Sequence, residues 1–140
     1  MIAKNKKIKV IFDTNVWISF LIGKRLSIIE KYIANRQMTI IVADHLIEEI
    51  KEVTSRERLQ KYFPPGKVVE LIRFLETIAL KFEITRQKFV SRDPKDDFLL
   101  DLMAISKADY LVTGDKDLLI LNPFGTTTVL TPGDFEKMLS

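Results

Sequence analysis

Four short acidic islands have the residue types and positions for metal chemistry: Asp13-Thr14-Asn15, Glu48-Glu49, Asp93-Pro94-Lys95-Asp96-Asp97 and Thr113-Gly114-Asp115-Lys116-Asp117. The first and last directly follow apolar β-type runs, Ile8-Lys9-Val10-Ile11-Phe12 and Tyr110-Leu111-Val112-Thr113. In an open parallel sheet, ligands bind in the crevice beyond the carboxyl ends of the strands. Carboxylates collected there repel one another in a half-dry cleft unless a cation sits between them. Oxygen donors of this kind suit a hard divalent ion, Mg²⁺ or Mn²⁺.

Each acid also has a structural role to weigh against chemistry. Asp13 is the hardest to explain structurally. Helix capping is open to it, but Phe12, Val16, Trp17 and Ile18 give it apolar surroundings, and burying an ion is costly without a partner. On a helix over 44–54, Leu46, Ile47, Ile50 and Val53 share a face. At about 100° per residue, Glu48 projects away from that face and Glu49 lies at its margin, where it can lean into a cleft. Asp93 with Pro94 and Asp96 reads as a capping box, which leaves Asp97 as the first acid in that helix available for chemistry. Asp101, one turn later, is expected to be an exposed helix carboxylate. Asp115 stands where an N-cap is needed, so capping and metal chemistry are both open to it. Thr14, Asn15, Thr113 and Asp117 are candidates for positioning water or phosphate, although turn and cap bonding explains Asn15 equally well.

The elements that must position these acids follow from the alternation of patterns. Strand-like runs at 8–12, 39–43, 79–84, 109–113 and 126–130 are separated by segments of helical period, the signature of βαβ units and a parallel sheet. Gly23, Pro64-Pro65-Gly66 and Asn122-Pro123-Phe124-Gly125 are breaks between elements and too short to link domains. With 140 residues, one globular domain over 1–140 is expected, with 1–7 as a basic leader.

Composition narrows the chemistry. Hydrophobic residues make up 46% and charged residues 29%, near the soluble globular average. No apolar run is long enough to span a bilayer and no signal peptide is evident, so a cytoplasmic protein is expected. The absence of cysteine excludes disulfides, thiolate zinc sites and a cysteine nucleophile. His45, the only histidine, reads as a partly exposed residue at a helix start. The net charge of +3 permits a polyanionic partner. Lys4, Lys6, Lys7 and Lys9, then Arg56, Arg58 and Lys61, then Arg86, Lys88, Arg92 and Lys95 are candidate rims for one, with Arg56, Arg92 and Lys95 the favoured phosphate contacts.

Taken together and in order, these motifs make the chain resemble the PIN-domain family of metal-dependent ribonucleases, in particular the toxins of toxin-antitoxin pairs. Asp13-Thr14-Asn15 matches the family's first motif, Leu46-Ile47-Glu48-Glu49-Ile50 its second with the metal-site glutamate on Glu49, Asp97 its third, and Thr113-Gly114-Asp115 its fourth. The resemblance runs from Val10 to Thr131-Pro132-Gly133-Asp134-Phe135. It implies a three-layer α/β/α fold with a central parallel sheet of about five strands. It also implies endonucleolytic RNA cleavage leaving 5′-phosphate and 3′-hydroxyl ends.

Under that resemblance Asp13, Asp97 and Asp115 are metal ligands, with Glu49 a ligand or the base that orients water, around one or two ions. The choices between Asp96 and Asp97, and between Asp115 and Asp117, stay open at this level. A homodimer and a cognate antitoxin are the implied partners, with Trp17, Phe20, Tyr62 and Phe63 as possible contacts. The rival functions are a catalytically silent RNA-binding or protein-interaction module and an aspartyl-phosphate phosphatase. The phosphatase needs a second acid two residues after the first, where this chain has Asn15.

Overall fold

A computed structural model of the chain describes residues 7–23, 26–84 and 97–139. Five strands run parallel through its centre: β1 (Ile8–Phe12), β2 (Met38–Val42), β3 (Leu80–Lys81), β4 (Tyr110–Val112) and β5 (Thr128–Leu130). Helices α1 (Thr14–Gly23) and α2 (Leu26–Ala34) lead from β1 to β2. From β2 to β3 the chain forms α3 (Asp44–Thr54), a 3₁₀ turn (Glu57–Tyr62) and α4 (Lys67–Thr77). Helix α5 (Asp97–Ser106) precedes β4, α6 (Lys116–Leu119) lies between β4 and β5, and α7 (Pro132–Leu139) follows β5. Among the described residues no helix is long and apolar enough to cross a membrane.

Parallel strands covered on both faces must be apolar nearly throughout. In β1, Ile8, Val10, Ile11 and Phe12 are all fully buried. The Phe12 ring meets Trp17, Phe20 and Phe135 edge-on, with centroids 5.0, 5.5 and 5.6 Å away. Such pairs contribute about 0.5–1.5 kcal/mol each beyond simple area burial. Trp17 and Phe20, weighed above as contacts for a partner, are therefore core residues, whereas Tyr62 is exposed and Phe63 half-buried.

Strand order across the sheet is β3-β2-β1-β4-β5. After β1 the chain proceeds toward β2 and β3, and after β4 it proceeds the other way, toward β5. The crevice of an open α/β sheet lies where those directions part, here between β1 and β4. Phe12 is in register with Val112, so Asp13 and Thr113 emerge side by side at the carboxyl edge of that crevice. The Asp13 amide continues the ladder by donating to the Val112 carbonyl at 3.0 Å.

Two expectations need correction. The strand expected over 79–84 forms ladder pairs only at Leu80 and Lys81, opposite Ile41 and Val42. A short strand ending in an exposed lysine suits an edge position, where long unpaired strands invite aggregation. In helix α5, Asp101 is expected from sequence to be exposed. Instead the helix is enclosed on nearly all sides: Asp97, Leu100, Asp101 and Met103 are buried together with Phe98, Leu99 and Leu102, and Ala104 and Ile105 are exposed. The expected capping box at Asp93, Pro94 and Asp96 lies outside the described residues. Thr131 caps α7, its hydroxyl accepting from the Asp134 amide at 3.1 Å.

Candidate active site

Asp13 ends β1 and opens α1, its carbonyl accepting from the amides of Val16 and Trp17 at 3.0 and 3.2 Å. Its side chain is buried. The Thr113 hydroxyl donates to Asp13 Oδ2 at 2.8 Å. Burial pushes the Asp13 carboxyl above the ordinary aspartate range. Thr113 and the backbone of Thr14 and Asn15 draw it partly back, and the negative charge of Asp115 pushes it up again. The protein itself thus leaves an ionised Asp13 incompletely compensated. A hard cation bound through oxygen would supply what is missing, so the donor set fits Mg²⁺ or Mn²⁺.

Thr113 works in both directions. While donating to Asp13, its oxygen accepts from the Asp115 amide at 3.0 Å. Asp115 in turn caps α6, Oδ1 accepting from the Asp117 amide at 2.8 Å. The capping role open to Asp115 from sequence is therefore present in the fold. It also fixes the direction of the carboxylate beside Asp13. Asp117 lies half-buried in the first turn of the same helix.

On the other side of β1, the buried Thr14 hydroxyl donates to Glu49 Oε2 at 2.9 Å. Glu49 is half-buried at the margin of α3. Glu48 is exposed, with Oε1 3.5 Å from Lys51 Nζ. His45, one turn before Glu49, brings its Nε2 to 3.9 Å from Glu49 Oε1. The His45 ring stacks on Phe98, with centroids 4.3 Å and planes 11° apart. That contact draws the start of α3 against α5, where buried Asp97 immediately precedes Phe98.

Two threonine hydroxyls and one ring stack thus connect segments carrying Asp13, Glu49, Asp97 and Asp115. Among the described residues no three acidic or histidine side chains form a ready-made metal cluster. Asp13, Glu49 and Asp115 are instead held by separate local contacts. Asp101, one turn beyond Asp97 and expected to be exposed, adds a buried carboxylate.

The basic candidates are distributed differently. Arg56, beyond the far end of α3, is held in a two-pronged contact by Glu52 at 3.1 and 2.8 Å. Lys9 Nζ donates to the Ser106 carbonyl at 2.8 Å, near the opposite end of the sheet. Arg58 and Lys61 are exposed on the 3₁₀ turn. Arg92 and Lys95, like Lys4, Lys6, Arg86 and Lys88, lie outside the described residues. Among the described residues, Lys81 lies at the carboxyl edge paired with Asp44 at 2.9 Å, and exposed Lys116 opens α6 directly after Asp115. The hydrogen bond to Asp44 raises the Lys81 pKa. Sequence reasoning missed Lys81 because its partner lies in another element. His45 lies exposed in the first turn of α3, as the sequence suggests.

An apolar cavity of about 310 Å³ lies away from these acids, lined by Trp17, Ile29, Ile33, Leu71 and Phe74 among others. It contains no member of the acidic set and does not mark the chemistry.

Comparison with known proteins bears on family and fold. A family model described as PIN domain matches residues 9–117. Over 123 residues the chain is 31% identical to the uncharacterized protein MJ1680 of Methanocaldococcus jannaschii, covering 82% of this chain and 76% of that protein. Its fold is similar to that of the PIN domain endonuclease Utp24, with a TM-score of 0.57 at 14% identity, over 92% of this chain and 88% of the other.

Proposed function

The chain belongs to the PIN domain family, and from that premise we propose that it is a metal-dependent endoribonuclease hydrolysing RNA phosphodiester bonds. The observation that carries the proposal is the direct link from Asp13 through Thr113 to Asp115 across the switch point of the sheet. Asp13 and Asp97 are the principal residues to hold Mg²⁺ or Mn²⁺, as one ion or two, with Asp115 acting directly or through water. Glu49 is a further ligand or the base. When bound, the ion offsets charge on the phosphate and lowers the pKa of water.

The chain's own residues supply orientation and proton transfer. Glu49, steadied by Thr14 at 2.9 Å, accepts a proton from the attacking water. The water oxygen bonds to phosphorus as the bond from phosphorus to O3′ breaks. The departing O3′ takes a proton from solvent water to become a 3′-hydroxyl, and the new phosphate stays on the 5′ side of the downstream fragment. Thr113, steadying Asp13, maintains the direction of the acid that anchors the site. Lys81 at the same edge joins Arg56, Arg92 and Lys95 as a proposed contact for the RNA backbone.

Mapping the ends produced from labelled single-stranded and structured RNAs tests this chemistry. New 5′-phosphate ends that require Mg²⁺ or Mn²⁺ and disappear in Glu49→Gln are expected. Cyclic phosphate ends, or equal activity in EDTA, would reject it.

The proposal extends to a cytoplasmic toxin that acts as a homodimer and is restrained by an antitoxin. The motif likeness to PIN toxins supports this, and exposed Tyr62 is available for a contact. Induced expression should arrest growth of a bacterial host, and Asp13→Asn should abolish the arrest. Equal arrest by both proteins would remove the toxin role.

A further inference from the structure

His45 and Phe98 are arranged in a way that holding carboxylates together does not require. Phe98 is 7% exposed and anchored in the core, whereas the His45 side chain is 60% exposed. Their rings are parallel to within 11°, with centroids 4.3 Å apart. One face of the imidazole is therefore covered by Phe98, and the exposure belongs to its edge and opposite face. The covered face also restrains the ring, which on an open helix surface would sample several rotamers. A flat, restrained and open aromatic face is what a nucleobase stacks on, whatever the base.

Its surroundings point to a particular nucleotide. His45 Nε2 is 3.9 Å from Glu49 Oε1, while Asp97 precedes Phe98 in the chain. The platform thus borders two of the acids proposed to serve cleavage. Next to it in α3, Asp44 holds Lys81 at 2.9 Å, which brings a cation to the same edge. A duplex hides its base faces in its own stack, so an unpaired base fits better.

We infer that His45, backed by Phe98, is a nucleobase-binding subsite that stacks an unpaired base beside the scissile phosphate. The substrate class rests on the ribonuclease proposal, whereas the platform itself is a matter of ring geometry. The stack requires no charge on the imidazole, and His45 acts as a positioning residue with no proton to transfer.

The test measures binding of a labelled single-stranded RNA to the full chain in EDTA, alongside cleavage in Mn²⁺, for wild type, His45→Ala and His45→Phe. Thermal melts check that all three fold. His45→Ala should weaken binding by roughly five- to hundredfold, the range spanned by base stacks, and raise KM more than it lowers kcat. His45→Phe should restore both. Replacing single nucleotides by abasic ones should reveal a position that matters to wild type and His45→Phe but not to His45→Ala. Unchanged binding in His45→Ala would overturn the subsite, and so would equal defects in both variants, which would assign the effect to the contact with Glu49. His45-dependent binding without any cleavage would retain the subsite and reject the nuclease, whereas cleavage indifferent to His45 would do the reverse.

Discussion

The Thr113 hydroxyl reaches Asp13 Oδ2 at 2.8 Å, joining the residue after β4 to the residue after β1 where the two halves of the sheet diverge. Because its oxygen also accepts from the Asp115 amide at 3.0 Å, one buried side chain fixes two acids relative to each other. Thr113→Val keeps shape and removes both interactions. A loss of about 1–3 kcal/mol in stability is expected, the usual range for leaving buried polar groups unsatisfied. Cleavage should fall by about tenfold to a hundredfold, roughly the effect of removing a group that orients metal ligands. Denaturant melts and steady-state kinetics of the variant check both.

Burial raises the Asp13 pKa above its unfolded value, which sets the sign of a pH effect. The folded protein holds that proton more tightly than the unfolded chain. The stability so gained is fully present below the ordinary aspartate range and is lost as pH rises through the folded value. Metal-free Asp13→Asn, which cannot ionise, should therefore melt above metal-free wild type at pH 7, and the gap should close below about pH 4. Adding Mg²⁺ or Mn²⁺ at about 100 times its Kd should stabilise wild type by about 2.7 kcal/mol and leave the variant little changed. Melts across pH, with metal or EDTA, give all these comparisons.

Glu48 and Glu49 are neighbours with opposite expectations. Glu48→Gln loses an exposed contact to Lys51 and should change stability by less than about 0.5 kcal/mol without affecting cleavage. Glu49→Gln should lower kcat by about 10² to 10⁴, the range for a lost general base. Thr14→Val removes the hydroxyl that holds Glu49 and should cost less. Combined with Glu49→Gln it should add little, because the two act as one unit. A double-mutant cycle on kcat measures this.

Phe12 connects the core to the chemistry. It contacts Trp17, Phe20 and Phe135 and is followed at once by Asp13. Phe12→Ala should cost about 3–5 kcal/mol, and the cavity it leaves would loosen the end of β1. Chemical denaturation gives the first quantity, and the Kd for Mn²⁺ before and after the change reports the second.

The chain announces some of these relationships and conceals others. Asp13 and Asp115 could be placed at one edge because each ends a run apolar enough for a doubly covered parallel strand, and topology then brings such ends together. The margin position of Glu49 followed from helical periodicity, since the buried face of α3 is sharply marked by Leu46, Ile47 and Ile50. Helix α5 defeated the same reasoning because it is enclosed on nearly all sides, so Asp101 sits inside a helix whose pattern has no true solvent face. The pairings of Thr14 with Glu49 and of His45 with Phe98 depend on how elements distant in sequence are set against each other, which periodicity does not encode. Lys81 was invisible for the same reason.

Cleavage of labelled RNAs by wild type and Asp13→Asn, each with Mn²⁺, Mg²⁺ or EDTA, tests the central claim most directly. Wild type should cut at discrete sites only with metal, and Asp13→Asn should be slower by about a hundredfold to a thousandfold. Equal cutting by both proteins, or cutting by wild type in EDTA, would contradict the assignment of Asp13 and its neighbours as a metal-dependent nuclease site.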